Sequence, residues 1–382
     1  MKKLSLIATS AMGLEAIVGK EVKDLGYDCK IENGKVTFEA DELAICRSNL
    51  WLRTADRIKI KVGEFQAKTF DELFEKTKAL NWGDYLPENA EFPVIGKSVK
   101  SMLASVPDCQ AIVKKAVVEK LKSHYKTTGW FNEDGPLYRI EVALLKDVAT
   151  ITIDASGTGL HKRGFRIDQG GAPIKETLAA ALVLLTRWTP DRPFVDPFCG
   201  SGTIPMEAAL IGQNIAPGFN REFASEQWHW IGKDKWNLAR QEVEDKAKYD
   251  QPLDIQASDI DHRMVSIAEA NAEEAGLREL IHFKQMQVKD FTTNKQFGVI
   301  VGNPPYGERL GEKRAVEQMY KEMGQAFSTL DTWSIYMLTS HEGFEGLYGK
   351  PATKKRKLFN GFIKTDFYQY WSNVRPPRNN KE

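Results

Sequence analysis

The sequence predicts an α+β N-terminal part, then an α/β domain on a mostly parallel sheet that an antiparallel hairpin closes. Three observations predict it. Up to about residue 160, short runs of period-two alternation are mixed with amphipathic helical stretches. Beyond about residue 172 strands and helices alternate, the sign of a parallel sheet. The apolar run Phe297-Gly-Val-Ile-Val-Gly302 reads as a buried parallel strand. With 382 residues the chain can hold two or three domains, and its boundary falls near 155–172.

Taken in order, residues 4–8 read as a strand, followed by a helix capped by Thr9 or Ser10 and ended by Gly26. Leu14, Ile17, Val18, Val22 and Leu25 mark its apolar face. Met1-Lys-Lys and the apolar stretch after it are too short, too broken and too soon followed by Glu15 for a secretion signal. Residues 35–39 alternate like a half-buried strand after an Asn33-Gly34 turn, and Asp41 caps a helix through Leu50. A second alternating run covers 57–62, and Thr69 or Asp71 opens a helix to Leu80. A strand at 92–96, a long helix from Pro107 to about Tyr125, and a hairpin-like pair at 137–145 and 148–154 complete this part.

A helix follows over 172–185 with Pro173 in its first turn, then a strand at 192–195 enters Asp196-Pro-Phe-Cys-Gly-Ser-Gly-Thr203. Gly200 and Gly202 carry no Cβ, so the backbone can turn tightly and a ligand can approach the peptide plane. The helix start at Thr203 offers free N–H groups to an anion. Neither the third glycine of a dinucleotide loop nor a Gly-Lys-Ser/Thr for triphosphates is present. The next strand, 253–258, ends in Asp259-Ile-Asp261. Asp259 is placed to take both ribose hydroxyls of a nucleoside, and Asp261 to cap the helix over 262–275. Residues 213–252 read as an insertion whose Trp228, Trp230 and Trp236 are expected to pack locally, with a substrate-facing flap as the alternative.

A strand from Ile281 and a turn follow. The strand over 297–302 then runs into Asn303-Pro-Pro-Tyr306. Two prolines fix two successive φ angles, so a stiff loop aims the Asn303 amide, the Pro304 carbonyl and the Tyr306 ring at one point. Two acceptors and an aromatic face suit a flat, amine-bearing ring. A helix to about Leu330, a strand at 333–338, and a hairpin turning at Asn360-Gly361 end the domain.

The 42% hydrophobic and 27% charged composition is that of a globular protein, and no apolar stretch is long enough to span a bilayer. Four cysteines show no metal-ligand spacing and read as reduced thiols of a cytoplasmic protein, and no metal is expected. A net charge of +1 excludes general affinity for nucleic acid, so any such binding must be local. Two basic clusters qualify. One is the helix bearing Lys114, Lys115, Lys120, Lys122, His124 and Lys126. The other is Gly159-Leu-His-Lys-Arg-Gly-Phe-Arg166, in which His161, Lys162, Arg163 and Arg166 flank two glycines and a stacking ring. Both can equally be solvated surface, and Lys354 to Lys357 can be an edge-strand charge guard or a further RNA contact.

Asp196 to Ile204 resembles the first motif of class I, Rossmann-like methyltransferases. Asn303 to Tyr306 resembles the amine-holding motif of the amino-directed, S-adenosylmethionine-dependent enzymes among them. With 160–166, 173–179, Gln285-Met-Gln287 and 303–310, nearly the whole chain resembles the THUMP-domain RNA methyltransferases. The likeness is to the bacterial group that makes N2-methylguanosine in 23S ribosomal RNA, often named as N6-adenine-specific DNA methylases. The resemblance implies a ferredoxin-like region (1–60), a THUMP RNA-binding domain (45–155) and a methyltransferase domain (160–382). It implies Asn303, Pro304, Pro305 and Tyr306 as catalytic residues. It implies S-adenosylmethionine at Asp196, Pro197, Phe198, Gly200, Gly202, Thr203, Asp259, Ile260, Gln287 and Asn303, with Gln287 standing where the family often has an Asp for the adenine amine and Asp290 as the alternative to it. RNA, through Lys114, Lys115, Lys122, His161, Lys162, Arg163 and Arg166, is the implied partner. An adenine-N6 enzyme acting on DNA or RNA, a guanine-N2 enzyme of transfer RNA, and a protein-glutamine methyltransferase remain open beside it.

Overall fold

The computed structural model describes residues 3–165, 174–307 and 312–374. The chain forms two compact units. One holds the chain up to Ser10, Val18–Leu160 and Arg221–Glu242; the other holds Ala11–Ile17, the chain from His161 to Asn220, and the chain from Val243 onward.

The first unit is built on one seven-stranded sheet. Its strands are β1 (Leu4–Ser10), β2 (Cys29–Glu32), β3 (Lys35–Ala40), β4 (Ala55–Gln66), β5 (Val94–Val99), β6 (Ile140–Leu145) and β7 (Val148–Asp154), in the order β2-β3-β1-β4-β7-β6-β5. The twelve-residue β4 joins the two halves of this sheet: it pairs with β1 through Ile58 and Ile60, and with β7 on to Gln66, past a register shift at Lys61. Thr9 and Ser10, expected as helix caps, are the last residues of β1 instead, and α1 (Glu15–Asp24) starts later. Asp41 and Thr69 do cap α2 (Glu42–Trp51) and α3 (Phe70–Lys78), accepting from the amides of Ala44 and Glu72. The β6–β7 turn places Lys146 and Asp147 at φ +51° and +63°, the two left-handed residues that a tight hairpin needs. Helix α4 (Val106–Tyr125) follows β5.

Residues 221–242 belong to this first unit, and the tryptophans show why. Trp228 is buried, stacks on Tyr138 with ring centroids 4.5 Å apart, and donates its indole N–H to the Leu137 carbonyl at 3.0 Å. Trp236 stacks on Phe223 and donates to Ser225, and Trp230 meets Tyr85 edge-on. The three rings are packing residues, as the sequence suggests; Trp236 packs within its own segment, whereas Trp228 and Trp230 find partners far away in the chain. Trp228→Ala removes a filled site and strands a carbonyl, and is expected to destabilise this unit by about 3–5 kcal/mol, read as a lower urea midpoint.

The second unit is a seven-stranded sheet formed by β8 (Phe194–Asp196), β9 (Ile255–Asp259), β10 (Ile281–Gln285), β11 (Val299–Gly302), β12 (Ser334–Thr339), β13 (Lys354–Asn360) and β14 (Ile363–Tyr370). The order is β10-β9-β8-β11-β12-β14-β13; the first five strands are parallel and β14 is antiparallel to both neighbours. The helices are α5 (Glu176–Leu184), α6 (Thr203–Gly212), α7 (Lys233–Lys246, which begins in the first unit), α8 (His262–Glu274), α9 (Lys313–Phe327) and α10 (Phe344–Tyr348). Pro173, expected in the first turn of α5, lies outside the described residues. β11 begins at Val299 rather than Phe297 because Phe297 takes a left-handed φ of +59°.

Two features of this sheet shape its carboxyl edge. Strand order reverses between β8 and β11, making a switch point where a crevice opens at the strands' carboxyl ends. The terminal hairpin is one residue out of the expected register: Asn360 pairs with Ile363, so the turn is Gly361-Phe362. Only Gly361 has a positive φ there, +63°, which suits a turn with glycine first rather than an Asn-Gly turn. Because Thr339 at the end of β12 pairs with Asp366, the hairpin tip projects about 10 Å past it, over the same carboxyl edge.

Candidate active site

The loops after β8, β9 and β11 wall one cleft of about 890 Å³ in the second unit. Glycine conformations shape the turn after β8: Gly200 lines the cleft, and Gly202, off its wall, packs against α8. Gly200 (φ +50°) and Gly202 (φ +85°) are both left-handed. A Cβ on Gly202 would come within 3.1 Å of the Ala268 Cβ, so glycine is required for close packing of the turn on α8. A Cβ on Gly200 would meet only the Met264 methyl, at 4.0 Å, so that peptide is open on the cleft side.

Asp259, at the tip of β9, ties the two loops together. One carboxylate oxygen accepts from the Gly200 amide and the other from the Asp261 amide, each at 3.0 Å. The Cys199 amide donates to the Ser258 carbonyl at 2.9 Å. Each oxygen of Asp259 keeps a further lone pair, and the residue lines the cleft.

Asp196 takes another place than expected. It is fully buried beneath the turn, off the cleft wall; Oδ1 accepts from the Phe198 amide at 3.0 Å and Oδ2 has no partner among the described residues. Burial, with the Asp259 charge adding to it, holds its carboxyl well above the usual carboxylate range. An acid whose pKa is raised on folding adds stability below its unfolded value of about 3.9, and that stability is lost as pH rises through the folded value. Asp196→Asn, neutral at every pH, is therefore expected to gain melting temperature on the ligand-free parent by a few degrees as pH rises from about 4 to about 8. Parallel curves would contradict a buried, reluctant acid.

The Asn303 corner is held from behind. A Cβ on Gly302 would meet Met337 and Phe198, each at 3.0 Å, so the strand end fits closely. Tyr320 of α9, fully buried, donates to the Pro305 carbonyl at 2.7 Å and meets the Thr339 hydroxyl at 2.9 Å. The Tyr306 hydroxyl donates to the Asn303 Oδ1 at 2.6 Å, and the Asn360 amide donates to that hydroxyl at 3.2 Å.

Asn303, Pro304, Pro305 and Tyr306 line the cleft together with Pro197, Phe198, Gly200, Thr203, Asp259, Ile260 and Gln287. Asp290, the alternative to Gln287, is exposed and not part of that wall. The cleft is also lined by Gln318, Met319 and Glu322 of α9 and by Asn360 and Ile363 of the hairpin, which no local string in the sequence marks. The amphipathic pattern of α9 marks its core face and is silent about its rim.

The basic residues divide. Lys114 is committed to Glu133 (2.6 Å) and the Phe92 carbonyl (3.1 Å), with its ammonium over the Phe92 ring, while Lys115 is exposed and Lys122 half-buried. Arg163 does not take the RNA-facing place expected of it: it is 2% exposed and forms a buried ion pair with Glu207 at 2.9 Å, so it is withdrawn from any phosphate. Lys162 is exposed and His161 half-buried, and Arg166 lies outside the described residues.

A protein-family model described as the RMKL-like methyltransferase domain matches residues 163–369; an RlmL ferredoxin-like domain matches 5–59 and a THUMP domain 67–154. The Bacillus subtilis protein YpsC, which carries the name of an RNA methyltransferase, is 76% identical over 383 residues and all of both chains. A Listeria monocytogenes structure, named for N6-adenine-specific DNA methylation, superposes with a TM-score of 0.94 at 65% identity over 97% of each chain. Another, named as a methyltransferase and crystallised with SAH, gives 0.95 at 51% identity over 98% of this chain and 100% of that one.

Proposed function

The chain belongs to the RMKL-like methyltransferases and uses S-adenosylmethionine, and on that premise we propose its acceptor: the exocyclic amine of an RNA base, guanine N2 in 23S ribosomal RNA. The observation that carries the reading is the shared cleft, in which the Asn303 corner and the open glycine turn face one volume at the switch point. That volume suits a nucleoside-sized ligand with a second ring beside it. S-adenosylmethionine supplies an electrophilic methyl carbon there. The peptides of Gly200, Gly202 and Thr203 bind its carboxylate end, Asp259 its ribose, and Gln287 with Ile260 its adenine.

The acceptor is a weak nucleophile, because its nitrogen lone pair is delocalised into the ring. Asn303 Oδ1 and the Pro304 carbonyl each accept one of its N–H bonds, which favours a pyramidal nitrogen and stabilises the charge that grows on attack. Tyr306 stacks on the base and fixes its distance. Once the nitrogen–carbon bond has formed at the expense of the carbon–sulfur bond, whose electron pair would stay on sulfur as a neutral thioether, the nitrogen's extra proton is acidic enough for water to take, so an amide serves at position 303 where a strong base is not needed. A base inside a duplex cannot enter such a corner, so the target is unpaired or flipped out. The THUMP match and the exposed Lys115 and Lys162 support RNA as the carrier of that base.

The Listeria relative's name favours adenine N6 as the second reading, since the same corner would hold that amine. Labelled cofactor and a 23S transcript, followed by nucleoside analysis, separate the readings. N2-methylguanosine is expected. N6-methyladenosine as the sole product moves the assignment to adenine, and label that stays on protein after nuclease treatment moves it to a side-chain amide.

A further inference from the structure

Asn360 stands at the last paired position of the terminal hairpin, half-buried, with its side chain on the cleft wall. Its amide nitrogen donates to the Tyr306 hydroxyl at 3.2 Å, and that hydroxyl donates to Asn303 Oδ1 at 2.6 Å. We propose that Asn360 is a positioning residue of the amine clamp: through Tyr306 it decides which end of the Asn303 amide faces the acceptor. The inference rests on reading Asn303 as the clamp, but not on which base is methylated.

Hydrogen-bond polarity makes the choice. The two ends of a primary amide have nearly the same shape and opposite roles, O accepting and NH₂ donating. A tyrosine hydroxyl alone can satisfy either end, by donating to the oxygen or by accepting from the nitrogen. With Asn360 donating to the phenol oxygen, the hydroxyl hydrogen points at an acceptor, and among the described residues it meets Asn303 Oδ1, 2.6 Å away. The oxygen is then held at the corner, with a second lone pair for the incoming amine. If the amide turned over, two donors would face each other and the amine would lose its acceptor.

The hairpin brings this control from a distance. Asn360 reaches Tyr306 only because the turn is Gly361-Phe362, which leaves Asn360 as a paired residue past the end of β12. An Asn-Gly turn would have spent the asparagine on the backbone.

The test uses Asn360→Ala and the nearly isosteric Asn360→Asp, each with Tyr306 intact and with Tyr306→Phe. Total methyl transferred to RNA is counted whatever the product base. Alanine removes the donor and is expected to lower kcat about fivefold. Aspartate reverses the polarity: its carboxylate accepts a hydrogen bond from the Tyr306 hydroxyl, the phenol oxygen accepts from Asn303 Nδ2, and the amide turns over. A loss on the order of a hundredfold is expected, with melting temperature and S-adenosylmethionine Kd unchanged. With Tyr306→Phe the three residues at 360 should give one common rate, since the relay is already cut. Additive losses, or aspartate no worse than alanine, would overturn the relay.

A second readout needs no turnover. In protein carrying 3-fluorotyrosine at position 306, the ¹⁹F titration midpoint of that phenol is expected to rise with Asn360→Ala and further with Asn360→Asp. The first loses a donor to the phenolate and the second adds a negative charge beside it. Coincident midpoints overturn the relay even if the parent methylates no RNA, which is the separate failure of the proposed function.

Discussion

Asn303→Ala is expected to reduce methyl transfer about a thousandfold while S-adenosylmethionine binding and thermal stability stay near the parent's. The asymmetry comes from where the residue sits. Asn303 is half-buried at the end of β11, and its oxygen bonds to Tyr306 rather than to the cofactor loop. Removing it leaves the Pro305 carbonyl still anchored by Tyr320 and the glycine turn still tied to Asp259. What is lost is an acceptor aimed at a nitrogen on which positive charge develops, an interaction worth most in the transition state. A defect mainly in cofactor Kd would show instead that Asn303 serves binding.

Asp259→Ala is expected to produce the opposite pattern. Its carboxylate accepts from the amides of Gly200 and Asp261 while lining the cleft, so alanine removes both a ligand contact and the tie that holds the turn open. Loss of a charged hydrogen-bond partner of this kind is worth about 2–3 kcal/mol, or roughly a hundredfold in S-adenosylmethionine Kd. RNA affinity, measured by filter retention without cofactor, should change less than about twofold, because the partners of this carboxylate among the described residues are backbone amides. Equal losses in both assays would remove Asp259 from the ribose role.

The parts of the site that were legible in the sequence are those where backbone geometry dictates residue type. Gly200 and Gly202 stand where φ is positive, two prolines stiffen a strand exit, and Asp261 caps α8, accepting from the Arg263 amide. Each is a local requirement, so a local string reveals it. The missing parts depend on pairing between distant segments. Trp228 packs on Tyr138, and the return of residues 221–242 to the first unit has no local signature. Asn360 reads as a turn residue until register places it in a strand.

Arg163 departs from expectation for a reason that the sequence does hold. A basic string suggests surface, yet Thr203-Ile-Pro-Met-Glu-Ala-Ala-Leu-Ile-Gly212 carries one carboxylate in an otherwise apolar helix. A buried Glu207 needs a cation, and the guanidinium of Arg163 supplies it with two hydrogen bonds. A lone charge inside an apolar helix is the signal that asks for its partner.

A crystal structure of the protein with S-adenosylhomocysteine tests the central claim most directly. The ribose hydroxyls should lie on the Asp259 carboxylate, with the sulfur directed across the cleft at the Asn303 side chain and the Pro304 carbonyl. A ligand seated elsewhere, or with its sulfur turned away from that corner, would contradict the account.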